Sequence, residues 1–226
     1  MSPTLRPTFI KLILAGLVLL STAYVQAEDG DIDSMLKNIE KQLSDKNARQ
    51  KAIEDGEDRT LLCKRCHGSD GNSLQPDVPN LAGQNAKYLL EQINKFATRQ
   101  RDDFVMSDLA GSFTARDKVN IAIFYHSMPV KPQSVDEIKA SKGKALYHRV
   151  CSACHGIEGY GNHKLARLAG QKPVYIMNVL KTFRNNAKNP VDREKSQRKS
   201  ETMEGVVKNL SNEQIESVAV YIASMP

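Results

Sequence analysis

Two copies of one five-residue pattern contain all four cysteines of the 226-residue sequence. The first runs from Cys63 to His67 and the second from Cys151 to His155, each with a histidine directly after its second cysteine. On a helical turn, positions i, i+3 and i+4 share one face. Two thiols and an imidazole so placed are the groups that attach a c-type haem and bind its iron. The predicted covalent attachment residues are Cys63, Cys66, Cys151 and Cys154, with His67 and His155 as iron ligands.

Other chemistries of paired cysteines remain open on this pattern alone. A Cys-x-x-Cys pair also binds zinc or acts as a redox dithiol. A zinc site needs four ligands in one tetrahedron, so the two motifs would have to converge or recruit other histidines. A dithiol leaves unexplained the histidine that follows both pairs. The repeated histidine and an export signal favour haem.

That export signal occupies the N-terminus. Arg6 and Lys11 form a basic start, an apolar run covers 12–20, and small residues precede a predicted cleavage after Ala27. The alternative, a retained membrane anchor, needs about 20 apolar residues, more than this run supplies. We therefore predict a signal peptide over 1–27, a periplasmic mature protein and no retained transmembrane helix.

Charge and composition argue against a nucleic-acid binder. The formal charge is +6 and falls to +4 once Arg6 and Lys11 leave with the signal peptide, and the propionates of two haems would bring it close to zero. Aromatic residues make up 6% of the chain and tryptophan is missing, so few rings are available to stack on bases. The same shortage limits the core of each half, which a buried porphyrin would complete.

The second half repeats the first beyond the haem motifs. Leu-Ala-Gly-Gln occurs at 81–84 and 168–171, and a matched tyrosine and phenylalanine follow each copy. Apolar helices predicted over 114–128 and 211–225 close the two halves, each starting at a hydroxyl residue suited to an N-cap. The predicted organisation is a signal peptide at 1–27, an acidic helical extension at 28–46, a first domain at 47–128, a linker at 129–136 and a second domain at 137–226.

The extension and one insertion are the least repetitive parts. Apolar residues at helical spacing predict a surface helix for the extension, packed on its own domain, with a partner-docking arm as the alternative. Gln171 and Met203 are 32 residues apart, whereas Gln84 and Met106 are 22 apart. The insertion carries an excess of basic residues, which either steers an acidic redox partner or forms a solvated loop.

Register within the repeat selects a ligand for the open face of each iron. Counting back 22 residues from the methionine that ends each closing helix gives Met106 and Met203. Both lie on predicted loops, from which a thioether can reach a metal and raise its redox potential. Core packing is the alternative for each methionine. His126 is a competing ligand in the first half, although Ala223 occupies its place in the second.

Several residues are candidates for contacts around the haem. The Pro79 carbonyl is placed to accept the Nδ1 proton of His67, with Ala166 in the equivalent place of the second half. Arginines near each predicted pocket are candidates to pair with propionates, a solvated surface being the alternative. They are Arg99, Arg101, Arg184 and Arg198.

With these residues in place, the chain resembles the dihaem cytochrome c4 family, made of two class I cytochrome c domains. The shared pattern is Cys-x-x-Cys-His-Gly with Asp-Gly-Asn, then Leu-Ala-Gly-Gln-x-x-x-Tyr, a methionine and a closing helix, over about 47–226. The resemblance implies an all-α fold of two tandem domains, two haem c groups, and the axial pairs His67 with Met106 and His155 with Met203. One departure is Gly56, which is one residue out of register with Gly143 and is not followed by an aromatic residue, so the first helix crossing stays open.

The resemblance further implies electron transfer without catalytic residues, between redox partners such as a cytochrome oxidase, a bc1-type complex or a dehydrogenase. Two alternatives stay open. One is an electron-accepting subunit of a dehydrogenase complex, for which the extension and the insertion would form the interface. The other is a dihaem peroxidase, which needs one iron with a vacant or displaceable ligand and is disfavoured by the matched methionines.

Overall fold

The computed structural model describes residues 31–131 and 133–226, so the predicted signal peptide at 1–27 lies outside the described residues. Every regular element in these two ranges is a helix, which confirms the all-α class. No helix in this part of the chain is long and apolar enough to cross a membrane. In chain order the helices are α1 (Ile32–Ser44), α2 (Lys46–Arg59), α3 (Lys64–His67), α4 (Ala86–Ala97), α5 (Met106–Gly111), α6 (Ala115–Ser127), α7 (Glu137–Val150), α8 (Ser152–His155), α9 (Pro173–Lys188), α10 (Pro190–Lys195), α11 (Glu201–Val207) and α12 (Asn212–Ser224).

Helix α1 covers the first half. It starts where the Asp31 carboxylate accepts a hydrogen bond from the Asp33 amide over 2.9 Å, as an N-cap does. Its apolar face buries Met35 and Ile39 in the core of the first half, against α2, α4 and α6. This face is therefore already covered by the helix's own half, as expected for a packed surface helix.

The N-terminal and closing helices cross in the same way in both halves. Gly56 of α2 meets α6, and a Cβ there would lie 2.3 Å from the Asn120 carbonyl oxygen. Gly143 of α7 meets α12, and a Cβ there would lie 2.0 Å from the Ser217 carbonyl oxygen. Glycine thus lets the two backbones touch. Gly56 lies one residue closer to its haem motif than Gly143 does. The turn between Arg59, where α2 ends, and the first motif accommodates this difference, whereas α7 runs directly into the second motif.

Both closing helices start at the predicted caps. The Thr114 hydroxyl accepts from the Asp117 amide over 3.1 Å, and the Ser211 hydroxyl accepts from the Gln214 amide over the same distance. In each case the third residue reaches back to the amide of the cap, which completes a capping box. These caps fix the first residues of α6 and α12, two helices that contribute side chains to the cavity wall.

The two halves meet through matched glutamines. The Gln84 amide group donates to the Arg167 carbonyl over 2.8 Å and accepts from the Arg167 amide over 2.7 Å. Gln171 makes the same pair of bonds with Asn80, over 2.9 and 2.7 Å. Each glutamine ends one Leu-Ala-Gly-Gln copy and bonds the residue that precedes the other copy. Such reciprocal contacts are those of an approximate two-fold axis.

Val130 of the linker lies between the two halves at this contact. A Cβ at Gly83 would come within 2.5 Å of its Cγ2, and a Cβ at Gly170 within 2.4 Å of its Cγ1. These two glycines are the third residues of the repeated turns and both have positive φ, 63° and 72°. The linker valine therefore touches equivalent backbone in both halves.

Candidate haem sites

Each Cys-x-x-Cys-His motif forms one compact helical turn. The His67 amide donates to the Cys63 carbonyl over 2.9 Å, and the His155 amide donates to the Cys151 carbonyl over 3.0 Å. The glycine after each histidine, with φ of 85° and 83°, then ends the turn. The two thiols and the imidazole of each motif consequently share one side of the turn, as the spacing predicts.

Both histidines are buried and oriented by a backbone carbonyl. The Nδ1 atom of His67 lies 2.9 Å from the Pro79 carbonyl oxygen, and that of His155 lies 3.0 Å from the Ala166 carbonyl oxygen. Donation from Nδ1 leaves Nε2 as the atom that is free to bind a metal. Burial lowers the pKa of both imidazoles, which favours this neutral form. Because the two distances are nearly equal, the histidine of the second half, where Ala166 replaces the proline, is held as closely as that of the first half.

A cavity of about 980 Å³ extends through both halves and contains all eight predicted site residues. Its lining is largely apolar, from the inner faces of the helices on both sides, which suits a flat aromatic ligand with a few polar groups. The predicted site residues in its wall are Cys63, Cys66, His67, Met106, Cys151, Cys154, His155 and Met203.

Met106 and Met203 line the cavity, and no other methionine in the described part of the chain does so. They lie on short helices, however, so the prediction that they lie on loops is wrong. Met106 opens α5, where its amide donates to the Asp103 carboxylate over 2.9 Å. Met203 lies in α11, where its amide donates to the Ser200 hydroxyl over 3.3 Å. Ser200 is the N-cap of α11, whereas Val105, the N-cap residue of α5, makes no side-chain capping bond, and the Asp103 carboxylate instead accepts from the Val105 and Met106 amides.

The competing histidine and the other methionines are engaged elsewhere. The Nδ1 atom of His126 lies 2.9 Å from the Gln84 carbonyl oxygen, and the residue is not part of the cavity wall. Met128, Met177 and Met225 pack in or against the two apolar cores. Core packing therefore accounts for these three, as the repeat register indicates.

The alternatives to haem attachment find no support in the arrangement of the cysteines. No group of three or more histidine, cysteine or acidic side chains in 31–131 and 133–226 is placed to hold a metal ion, as a zinc site would require. Reactive dithiols have lowered thiol pKa values. Here burial raises the pKa of Cys63, and it raises that of Cys151 to about 11.

The four candidate arginines separate into two kinds. Arg99 pairs with Asp102 and Asp108, at 2.9 and 2.5 Å. Arg184 donates to the Leu210 carbonyl over 2.8 Å. Neither arginine is part of the cavity wall, so these two do not fit the predicted pairing with propionates. The remaining two, Arg101 and Arg198, do line the cavity.

Sequence reasoning missed the role of Tyr125. Its side chain is 1% exposed, and its hydroxyl, which has no hydrogen-bond partner in the described structure, lies in the cavity wall beside the Cys63 thiol. Burial and the Cys63 thiol raise its pKa, so the hydroxyl is neutral. In the N-terminal helices, Thr60 lies four residues after Gly56, where the second half has Tyr147 four residues after Gly143, and both side chains are buried.

Taken together, the side chains fit a covalently held porphyrin in each half. Two thiols, a neutral imidazole with a fixed Nδ1, a thioether and an apolar wall are present twice, in equivalent positions. These are the donors that c-type haem requires.

Comparisons with known proteins agree with this arrangement. The family model described as "Cytochrome c" matches residues 140–226. Cytochrome c4 of Thiocapsa roseopersicina is 32% identical over 177 residues, covering 73% of this chain and 87% of that protein. A "Thiosulfate dehydrogenase electron acceptor" of Stutzerimonas stutzeri is 24% identical over 178 residues, covering 73% of this chain and 79% of that protein.

Among solved structures, reduced recombinant cytochrome c4 from Pseudomonas stutzeri superposes with a TM-score of 0.67 at 28% identity. The match covers 77% of this chain and 98% of that one. A match over nearly the whole of that structure confirms two tandem class I cytochrome c domains. The chain therefore belongs to the cytochrome c4 family and is a dihaem c-type cytochrome, an electron-transfer protein that carries two haem c groups.

Proposed function

We propose that this cytochrome carries single electrons between respiratory redox proteins in the periplasm, after removal of residues 1–27. Each haem iron, when bound, exchanges one electron between its ferric and ferrous forms. A cytochrome oxidase, a bc1-type complex or a dehydrogenase fits as a partner, since each exchanges electrons one at a time with a c-type cytochrome. The domains proposed are 47–128 and 137–226, joined by the linker at 129–136 and preceded by the extension at 28–46.

The site residues proposed follow from their place in the cavity. Cys63 and Cys66 attach the first haem, and Cys151 and Cys154 attach the second. The Pro79 and Ala166 carbonyls would accept the Nδ1 protons of the two proximal histidines, which would leave each Nε2 free to bind iron. The axial pairs proposed are His67 with Met106 and His155 with Met203.

One observation carries this proposal: the two methionines selected by repeat register are the two that line the cavity with both histidines. Iron held by these two pairs would be six-coordinate and would have no position for a substrate, and a sulfur ligand favours the ferrous form. This ligand set supports electron transfer over a reaction at the metal.

The test is optical and uses the purified dihaem protein. Ferric haem with histidine and methionine ligands has a weak near-infrared band from sulfur to iron, so M106A and M203A should each remove about half of it. M177A is the matched control, because Met177 packs against the second core and is not in the cavity wall. An unchanged band in either cavity variant would exclude that methionine as a ligand.

Location is tested separately by the mass of the protein isolated from the periplasmic fraction. The proposal requires a chain that starts at Glu28 and carries two covalently attached haems. A full-length chain retained with the membrane fraction would contradict it.

A second candidate is the electron-accepting subunit of a dehydrogenase complex, which the name of the Stutzerimonas stutzeri relative suggests. Such a subunit would comigrate with a larger dehydrogenase during purification and be reduced by it when that enzyme's substrate is added. A dihaem peroxidase is the third candidate. Rapid cyanide binding to one ferric haem, together with turnover of hydrogen peroxide, would favour it over both electron carriers.

A further inference from the structure

The second half carries an extra helix before its proposed methionine ligand. Phe183 and Met203 are 20 residues apart, whereas their equivalents Phe96 and Met106 are 10 apart. The additional residues include α10, where the first half has only turns at 98–105. Helix α10 packs on α9, and α9 packs on α11, the helix that contains Met203. The insertion therefore forms a helix that contacts its own half, although no residue of α10 is buried.

Glu204 is a buried acidic residue that directly follows Met203. It is 5% exposed, and its carboxylate accepts three hydrogen bonds. The donors are Arg193 Nε over 2.7 Å, the Ser200 amide over 3.1 Å and the Asn186 side-chain amide over 3.3 Å. A buried carboxylate is unfavourable unless a cation and hydrogen-bond donors compensate it. Arg193, which belongs to α10, supplies that cation.

The first half holds its methionine helix in a different way. Ser107 directly follows Met106, in the place that Glu204 takes in the second half. Its hydroxyl donates to the Asp102 carboxylate over 2.8 Å and accepts from the Asp103 amide over 2.9 Å. Both partners lie within five residues, so this anchor is local and uses a neutral side chain. The second half instead depends on a charge that the insertion supplies.

We propose that Arg193 and Glu204 brace the helix that carries Met203, so that the insertion keeps the proposed thioether ligand on the second haem iron. This inference rests on the proposed function. Glu204 is a positioning residue, because adjacent residues of a helix point to different sides: its carboxylate contacts α10, whereas Met203 lines the cavity. Without Arg193 the buried carboxylate would lose its cation, and local opening of α11 would let it regain water. Met203 would then leave the cavity more often, which would admit an external ligand.

The experiment measures how fast cyanide binds to each ferric haem of the dihaem protein after rapid mixing. Cyanide binds only while the methionine is away from the iron, so its rate reports how often the methionine helix opens. M203A marks the signal of the second haem, because it removes the methionine there. We expect R193Q to accelerate cyanide binding at the second haem by roughly tenfold to a hundredfold, the factor that corresponds to a lost hydrogen bond to a charged group. The rate at the first haem should stay unchanged.

Three further variants separate the brace from general effects of substitution. R193K keeps the positive charge and should restore most of the unmodified rate. E201Q is the matched control, because Glu201 pairs with the same arginine over 3.4 Å but its side chain is 89% exposed; it should leave both rates unchanged. The double variant R193Q and E204Q should be no faster than R193Q, since it leaves no buried charge without a partner.

An unchanged rate in R193Q would overturn the brace. Equal acceleration at both haems would also overturn it, because that result indicates a general loosening of the protein. The same holds for a double variant whose acceleration equals the product of the two single ones, as independent residues give. If R193Q retains too little haem to measure, E204Q gives the same comparison, with Asn186 and Ser200 still able to donate.

The near-infrared band separates the two proposals. An M203A protein that keeps the whole band contradicts the proposed function, and the brace with it. Loss of about half the band in M203A, together with an unmodified cyanide rate in R193Q, contradicts only the brace.

Discussion

Replacing Gly143 by alanine should destabilise the second half, although alanine is the better helix former. Within a helix, alanine is favoured over glycine by about 1 kcal/mol. Here the added Cβ would lie 2.0 Å from the Ser217 carbonyl oxygen, 2.5 Å from its carbon and 2.9 Å from Cβ of Tyr221. Overpacking of this kind costs about 1–3 kcal/mol. Two of the three atoms are backbone, so we expect the upper part of that range and a net loss of about 1–2 kcal/mol.

The measurement is thermal unfolding of the dihaem protein, followed by far-ultraviolet circular dichroism at matched haem content. For a domain of this size, 1 kcal/mol corresponds to roughly 4–8 °C in Tm. G205A is the matched control, because Gly205 also lies inside a helix but a Cβ there would meet no atom within 4 Å. That control should gain about 0.5–1 kcal/mol. If G143A proves as stable as the unmodified protein, the close helix crossing is wrong.

Three further outcomes are expected. Q171A should lower the free energy of unfolding by about 2–4 kcal/mol in chemical denaturation, since both backbone groups of Asn80 would be left buried without partners; a loss below about 0.5 kcal/mol would mean that water replaces the contact. Lys131 of the linker pairs with Asp70 and lowers the pKa of this carboxyl group below its ordinary value of 3.8. The carboxylate therefore stabilises the fold above pH 3.8, and this stabilisation is lost as the pH falls through the lowered pKa. D70N should flatten the acid limb of stability against pH, and an unchanged limb would refute this. The double variant C151S and C154S should retain one haem per chain and make only the second half sensitive to protease; two retained haems would contradict the attachment.

The haem motifs and their neighbours were predictable because short-range chemistry determines them. The spacing in the first motif places Cys63 and His67 on one turn, and the position of Pro79 anticipates the carbonyl that the His67 ring contacts. The repeat register distinguished Met106 and Met203 from other methionines. The local structure around these two was not predictable in the same way, since each lies in a helix of only six or seven residues, too short for a periodic pattern to indicate it.

The contacts between the halves were not predictable from the sequence. The sequence shows that Gln84 and Gln171 occupy equivalent positions of the repeat, but it does not show whether such a residue forms hydrogen bonds within its own half or with the opposite half. The equivalence of Arg101 and Arg198 was missed because counting forward from the glutamines places the insertion before Arg198, whereas counting back from the methionines aligns the pair. The first helix crossing stayed open because Gly56 is displaced relative to the motif, and the turn that absorbs the difference is visible only in three dimensions.

Val130 has a consequence that reaches beyond packing. Electron tunnelling weakens steeply as donor and acceptor move apart, and this one side chain separates equivalent backbone of the two halves, with a methyl group against each. Val130 therefore sets how closely the Gly83 and Gly170 turns approach each other, although it lies outside the cavity wall. We expect a larger residue there to push the two turns apart and to slow any electron exchange between the two haems.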